Sequence, residues 1–216
     1  MPRKLRSESV IGGLPHHVIL RGNNRRNLFS ADRERWLFLT LLSDALSKTE
    51  CKLHALSILR NHVHAILLPP SAQALASCMH RWSHRYAVRR NRETGGSGKL
   101  FEERYRALSL GDDAALATCT LYVDFNLELA GASARAQRWS TIALHAGDVD
   151  SSRIPAAIWT PSPWYRSLGD CDASRAAEYR AMAQEYRAMR EVMAVEARPT
   201  KPDSRRLERP NRSSAR

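Results

Sequence analysis

The sequence predicts an α+β chain: a ferredoxin-like antiparallel sheet with helices packed on one face, followed by a helical C-terminal extension. Three observations carry this. Short β-type runs and amphipathic helical segments follow one another as strand, helix, strand, strand, helix, strand, helix, the split β-α-β order. Glycine and proline punctuate the junctions between these segments. The length, 216 residues, suits one domain of ordinary size plus an appendage.

The first β-type run is His16 to Arg21, stopped by the turn signal Gly22-Asn23-Asn24. Ser30 followed by Asp32 and Glu34 reads as a helix cap with an acidic first turn. From there to about Lys48, Trp36, Leu37, Leu41 and Ala45 recur at threes and fours, and Trp36 and Phe38 are expected in the core. Cys51 to Leu59 is strand-like, Arg60-Asn61 forms a polar hinge, and a second strand starts at His62 and ends at Pro69-Pro70. Ser71 to Arg92 is helical, with Trp82 and Tyr86 on its apolar face. Thr94 to Gly98 is a flexible loop, and Arg104 to Leu110 reads as the last strand. Asp112 and Asp113 open a helix running from about Ala114 to Leu129, on which Tyr122 and Asn126 lie one turn apart. Beyond several prolines, Asp172 to Ala194 forms a long helix with Tyr179, Met182, Tyr186, Met189 and Met193 on a docking face. The expected division is a domain over 1–145, an extension over 146–197 and a basic, disordered tail over 198–216.

Charge narrows the partners. Lys and Arg number 34 against 22 Asp and Glu, a formal +12, and such a field attracts polyanions, nucleic acid first among them. Residues 1–35, 80–106 and 198–216 each carry five more basic than acidic side chains. Arg21, Arg25 and Arg26 flank the glycine turn, where a loop can approach a phosphate backbone closely or simply form a charged surface turn. Arg85 and Arg89 lie where cations and aromatics interleave, a combination suited to single-stranded nucleic acid. Cys51, Cys78, Cys119 and Cys171 show no paired spacing and read as reduced thiols of a cytosolic protein. The N-terminal stretch contains no apolar run long enough for a signal peptide or a membrane span, so a soluble, intracellular protein is expected.

Side chains alternate across a strand, so His62 and His64 share one face with Ile66 and Leu68. Two imidazoles on an otherwise apolar face need something to accept them, because a buried polar group without a partner costs about 1–3 kcal/mol. A divalent cation satisfies that need, and so does a hydrogen-bonding network.

Taken with this element order, Asn61-His62-Val63-His64, the stretch His16 to Asn23, Arg104-Tyr105-Arg106-Ala107, and Tyr122-Val123-Asp124-Phe125-Asn126 resemble the HUH single-tyrosine transposases, and within them the REP-associated branch. The similarity runs from about residue 10 to Thr141. The resemblance implies that His62, His64 and Asn126 hold a divalent metal, Mg or Mn, and that Tyr122 is the nucleophile. It implies nicking and strand transfer at hairpin-associated sites in single-stranded DNA through a 5′-phosphotyrosine link, by a cytoplasmic, nucleoid-associated monomer or homodimer. Arg21, Arg25, Arg26, Arg85 and Arg89 become the candidate backbone contacts. The chain departs from the branch at Leu127, where a proline is usual, at Glu128, an acid in a stretch that carries an arginine there, and at Arg60, where a proline is common. A domesticated protein that binds hairpins without cutting them is the alternative.

Overall fold

A computed structural model describes residues 10–102 and 104–196. The basic tail expected over 198–216 lies outside these described residues. Four strands, β1 (His16–Arg21), β2 (Lys52–Ile58), β3 (His62–Leu68) and β4 (Arg106–Ser109), form one antiparallel sheet in the order β2-β3-β1-β4. Helix α1 (Asp32–Thr49) connects β1 to β2. Helix α2 (Ala72–Met79), a π-helical turn (His80–His84) and α3 (Arg85–Thr94) form the second crossover, and α4 (Asp113–Leu129) follows β4. Short helices α5 (Ala134–Gln137), α6 (Ile142–His145) and α7 (Pro163–Ser167) lead to the long α8 (Asp172–Glu196).

The α+β class and the strand order agree with the sequence reading, but helices lie on both faces of the sheet rather than one. The alternation along β1 and β3 explains the division. Val18, Leu20, Val63, Ala65 and Leu67 point to a core shared with Phe38, Leu42, Leu75, Trp82 and Tyr86 of α1 to α3. Ala55 and Ile66 point the other way, into a second core with Val123 and Phe125 of α4 and with Tyr165 and Tyr179 from α7 and α8. The small Ala55 lets the α4 helix sit close, and the apolar cost of exposing Ile66 is removed by it.

Local signals mostly resolve as the sequence suggests. Ser71 and Asp112 cap α2 and α4, accepting from the N–H groups of Ala74 at 3.1 Å and Ala115 at 2.7 Å. The start of α1 differs. Ala31 occupies the cap position, and the Glu34 carboxylate reaches back to the N–H groups of Ser30 and Ala31, so the Ser30 hydroxyl is not the cap. Trp82 and Tyr86 are fully buried, donating to the carbonyls of Phe38 at 3.1 Å and Leu28 at 2.8 Å. Trp36 is 40% exposed rather than core, its ring edge-on to Trp139 at 5.1 Å. In α8, Tyr179 is buried while Met189 and Met193 are exposed, so only the first half of the expected docking face is covered.

The edge of β2 is sealed by the chain beyond α4. Ile58 and Thr160 donate to the carbonyls of Trp139 and Leu53, and Thr141 donates to Leu56. At the register shift between Leu53 and Ala55, His54 is buried with its Nδ1 2.7 Å from the Thr160 carbonyl. Covering an edge strand in this way removes a site of unwanted pairing. All four cysteines are free thiols. Cys51 and Cys78 meet in the core, and the hydrogen bond between them draws the Cys51 thiol down to about 7.

Candidate active site

The pairing register builds the site. His64 of β3 lies opposite Ile19 of β1, and His62 lies opposite Arg21, so the two imidazoles and the Arg21 side chain occupy one face. The ring centroids of His62 and His64 are 5.0 Å apart. Helix α4 crosses this face and brings Tyr122 and Asn126 to it. The Tyr122 ring is edge-on to His64 at 5.4 Å and to His17 at 5.8 Å, and it is 36% exposed. Asn126 is buried, with its side-chain amide beside His62. The one-turn spacing of Tyr122 and Asn126 thus matches the two-residue spacing of the histidines across from it.

Each histidine is held from behind at Nδ1. The Nδ1 of His62 is 2.8 Å from the Oδ1 of Asn61, and the Nδ1 of His64 is 2.9 Å from the Nε2 of His17. Asn61 is itself tied to the arginine loop, its Nδ2 donating to the Arg25 carbonyl at 3.4 Å. Among the described residues no group of three or more His, Cys, Asp or Glu side chains is placed to hold a metal ion. The donor set that converges is two imidazoles and one amide, and neutral imidazole with an oxygen donor suits a divalent cation such as Mn, whose remaining positions water or phosphate oxygen can fill.

The imidazoles are neutral at physiological pH. Burial, then the neighbouring His17, His62 and Arg21, pushes His64 down to about 3; burial pushes His17 down to about 4. His62 is lowered by burial and Arg21, against the bond to Asn126, and His16 and His54 are lowered by burial as well. Each of these groups takes up its proton at a lower pH in the folded chain than in the unfolded one, where the value is near 6.5. Their contribution to stability is therefore complete above about pH 6.5 and is lost progressively as the pH falls toward the folded values. The urea midpoint of metal-free protein is expected to fall steadily from about pH 7 to pH 4.5, and less steeply in His64→Gln. A midpoint that stays flat over that range would contradict the buried neutral assignment.

The five candidate arginines separate. Arg21 stands beside His62, and Arg25 and Arg26 are exposed on the following loop. Gly22 is required at its start, since a Cβ there would lie 2.3 Å from the Arg26 carbonyl oxygen. Asn24 and Arg25 hold left-handed φ values of 51° and 56°. Arg85 and Arg89 lie on α3, against the opposite face of the sheet, where Arg85 pairs with Asp44 and Arg89 with Glu93 at 3.3 Å. The sequence reading missed two further groups. His17 faces Tyr122 and His64, signalled only by its place two residues before Ile19 in an alternating strand. Arg106, opposite Ile19 on β4, is exposed on the same face beside Leu108, which is 65% exposed.

The C-terminal helix braces the tyrosine helix. Buried Asp124, between Tyr122 and Asn126, accepts hydrogen bonds from the hydroxyls of Thr141 and Tyr179, both at 2.6 Å, and its Oδ2 lies 2.7 Å from the Nδ1 of His145. Burial and the carboxylate together keep the Tyr179 phenol protonated, as a donor must be. Glu128 is held bidentate by Arg187 of α8, at 2.8 and 3.0 Å, and Arg187 also lies over the Phe125 ring at 5.0 Å. Leu127 is buried in the first core, and α4 runs on to Leu129 before turning at Gly131. The residue at 60 serves through its backbone: its carbonyl accepts from Leu28 and Phe29.

Among the described residues no helix is long and apolar enough to cross a membrane. A family model described as "Transposase IS200 like" matches residues 11–126. A solved REP-associated tyrosine transposase bound to a REP hairpin is similar over 75% of this chain and 92% of that one, at 14% identity with a TM-score of 0.50. A protein of Deinococcus radiodurans R1 named as a transposase is similar over 57% of this chain and 96% of that one, at 17% identity with a TM-score of 0.39. No curated protein matches the sequence. The first of these structures supports the fold.

Proposed function

Since this chain belongs to the IS200-like transposase family, we propose that it nicks single-stranded DNA beside hairpins and rejoins the ends through a 5′-phosphotyrosine intermediate held at Tyr122. The observation that carries this reading is the Tyr122 ring set edge-on to His64 at 5.4 Å, with the Asn126 amide beside His62 one turn away.

The chemistry follows from the groups. The phenolic oxygen of Tyr122 attacks the scissile phosphorus, the bond from phosphorus to the 3′-oxygen breaks, and the departing strand end takes up a proton as a 3′-hydroxyl. The tyrosine proton passes to solvent. Because the phenolate is also a good leaving group, a 3′-hydroxyl can reverse the step and join strands. His62, His64 and Asn126 would hold a divalent cation, Mg or Mn, which when bound neutralises a non-bridging oxygen and so lowers the repulsion that protects a phosphodiester. Arg21, opposite His62 on the same face, would steady that phosphate. Arg25 and Arg26 extend the basic surface along the loop, and Arg106 extends it across the open strip of β1 and β4 toward Leu108. The chemistry falls within the expected domain over 1–145, and Tyr179 and Arg187 of the expected extension over 146–197 brace α4.

A non-cleaving hairpin binder is the other reading. Its main support is the acid at 128, and that carboxylate is engaged by Arg187, which favours cleavage. Incubating the full chain with labelled hairpin-bearing single-stranded DNA and Mn is expected to give a denaturant-resistant adduct that chelator abolishes. Binding without adduct under every condition would favour the non-cleaving protein. Arg21→Gln is expected to weaken DNA binding and reduce the slope of log affinity against log salt by about one. An unchanged slope, measured by fluorescence anisotropy, would remove Arg21 from the phosphate path.

A further inference from the structure

We propose that His17 is a positioning residue for the candidate metal centre, accepting at its Nε2 the hydrogen bond that His64 donates from Nδ1. The inference rests on the reading above for the cation that His64 would hold.

His17 belongs to β1, where it faces the same side as Ile19 and Arg21. It is the diagonal neighbour of His64, which pairs directly with Ile19, and a diagonal neighbour on an antiparallel pair is within reach of a long side chain. The Nε2 to Nδ1 distance is 2.9 Å, with the rings stacked at 5.1 Å and 23°. Only one of two facing nitrogens can carry the hydrogen. If His17 carried it, the single proton of neutral His64 would sit on Nε2 and block that nitrogen from any cation. If His64 carries it on Nδ1, its Nε2 lone pair is free.

His62 provides the internal comparison. Its Nδ1 faces the Oδ1 of Asn61 at 2.8 Å, and an amide oxygen can only accept, so His62 is the donor there. The two histidines then share one arrangement, each with an acceptor behind it and an unprotonated Nε2 in front. His64 has no alternative on its other flank: Ser57, its cross-strand neighbour on β2, is buried with an Oγ that has no hydrogen-bond partner. His64 is itself only 3% exposed, so solvent is a poor substitute for His17. Acceptors of this kind fix the tautomer and ring orientation of a metal-binding histidine, and removing one typically costs 10–100-fold in metal affinity.

The test measures Mn binding to the full chain by calorimetry, without DNA, for the wild type, His17→Ala, His17→Gln and His64→Ala. His17→Ala is expected to weaken Mn binding about 10- to 100-fold, and His17→Gln, whose amide oxygen can accept in place of Nε2, is expected to recover most of the loss. Urea unfolding of the metal-free variants separates this from damage to the fold. If His17→Ala does not fold, the gap in Mn affinity between His17→Gln and a His17→Leu variant carries the test. Mn affinity unchanged in His17→Ala or His17→Leu would overturn the proposal while leaving the transposase reading intact. A loss equal to that of His64→Ala and not recovered by Gln would overturn it in favour of His17 as a ligand. If the wild type binds no Mn, the metal part of the function falls and this inference falls with it.

Discussion

Replacing Tyr122 with phenylalanine is expected to abolish the covalent adduct with single-stranded DNA while leaving hairpin affinity within about twofold of wild type. The substitution removes one oxygen from a ring that is 36% exposed and packed edge-on against His64 and His17, so neither the core nor the ring contacts change. Deleting the nucleophile of a covalent mechanism costs far more than removing a positioning contact, and a fall on the order of 10³-fold or more in cleavage rate is expected. Gel separation of adduct from bound DNA checks both halves together. Wild-type levels of adduct in Tyr122→Phe would move the chemistry to another tyrosine, Tyr105 being the first to examine because it lies in the motif that enters β4.

Asp124→Ala is expected to be the most destabilising single change near the site, by about 3–5 kcal/mol. The carboxylate is buried and takes bonds from Thr141 and Tyr179, with His145 at ion-pair distance. Its removal takes this acceptor from the buried hydroxyls of Thr141 and Tyr179, each costing about 1–3 kcal/mol and not additively. For a chain of this size the loss corresponds to roughly 6–20 °C in Tm. Asp124→Asn keeps one accepting oxygen and is expected to lose less. Thermal unfolding followed by circular dichroism measures this; a shift below about 2 °C for Asp124→Ala would mean that α8 does not brace α4. Glu128→Gln offers the contrast, since the Arg187 pair is part-exposed and worth about 1 kcal/mol at most.

The shared faces of the candidate site were legible in the sequence because they depend on local periodicity, while the roles of its residues rest on the family resemblance. A period of two places His62 and His64 on one face, and 3.6 residues per turn place Tyr122 above Asn126. Long-range geometry was not legible. Nothing in the His16-His17 pair says that His17 lies diagonal to His64, because that depends on the antiparallel register of β1 on β3. No local pattern signals that the Glu128 carboxylate is paired with Arg187, 59 positions later. Trp36 looked like core because helical spacing marks a stripe without saying where the stripe ends. Arg85 and Arg89 share composition with a nucleic-acid surface, yet composition carries no information about which side of the sheet α3 covers. The second helical face was missed for the same reason: the order of elements gives the sheet, while the side on which α4 docks is decided by small Ala55 and apolar Ile66.

The central claim is that Tyr122 joins the 5′-phosphate of the cut strand. It is tested most directly by isolating the adduct, trimming the DNA with nuclease and identifying the modified peptide by mass spectrometry, with the label placed on either strand end beforehand. The account predicts a nucleotide attached at Tyr122, with a 3′-end label retained on the protein and a 5′-end label released on a fragment ending in a 3′-hydroxyl. Attachment at another residue, or retention of the 5′-end label, would contradict it.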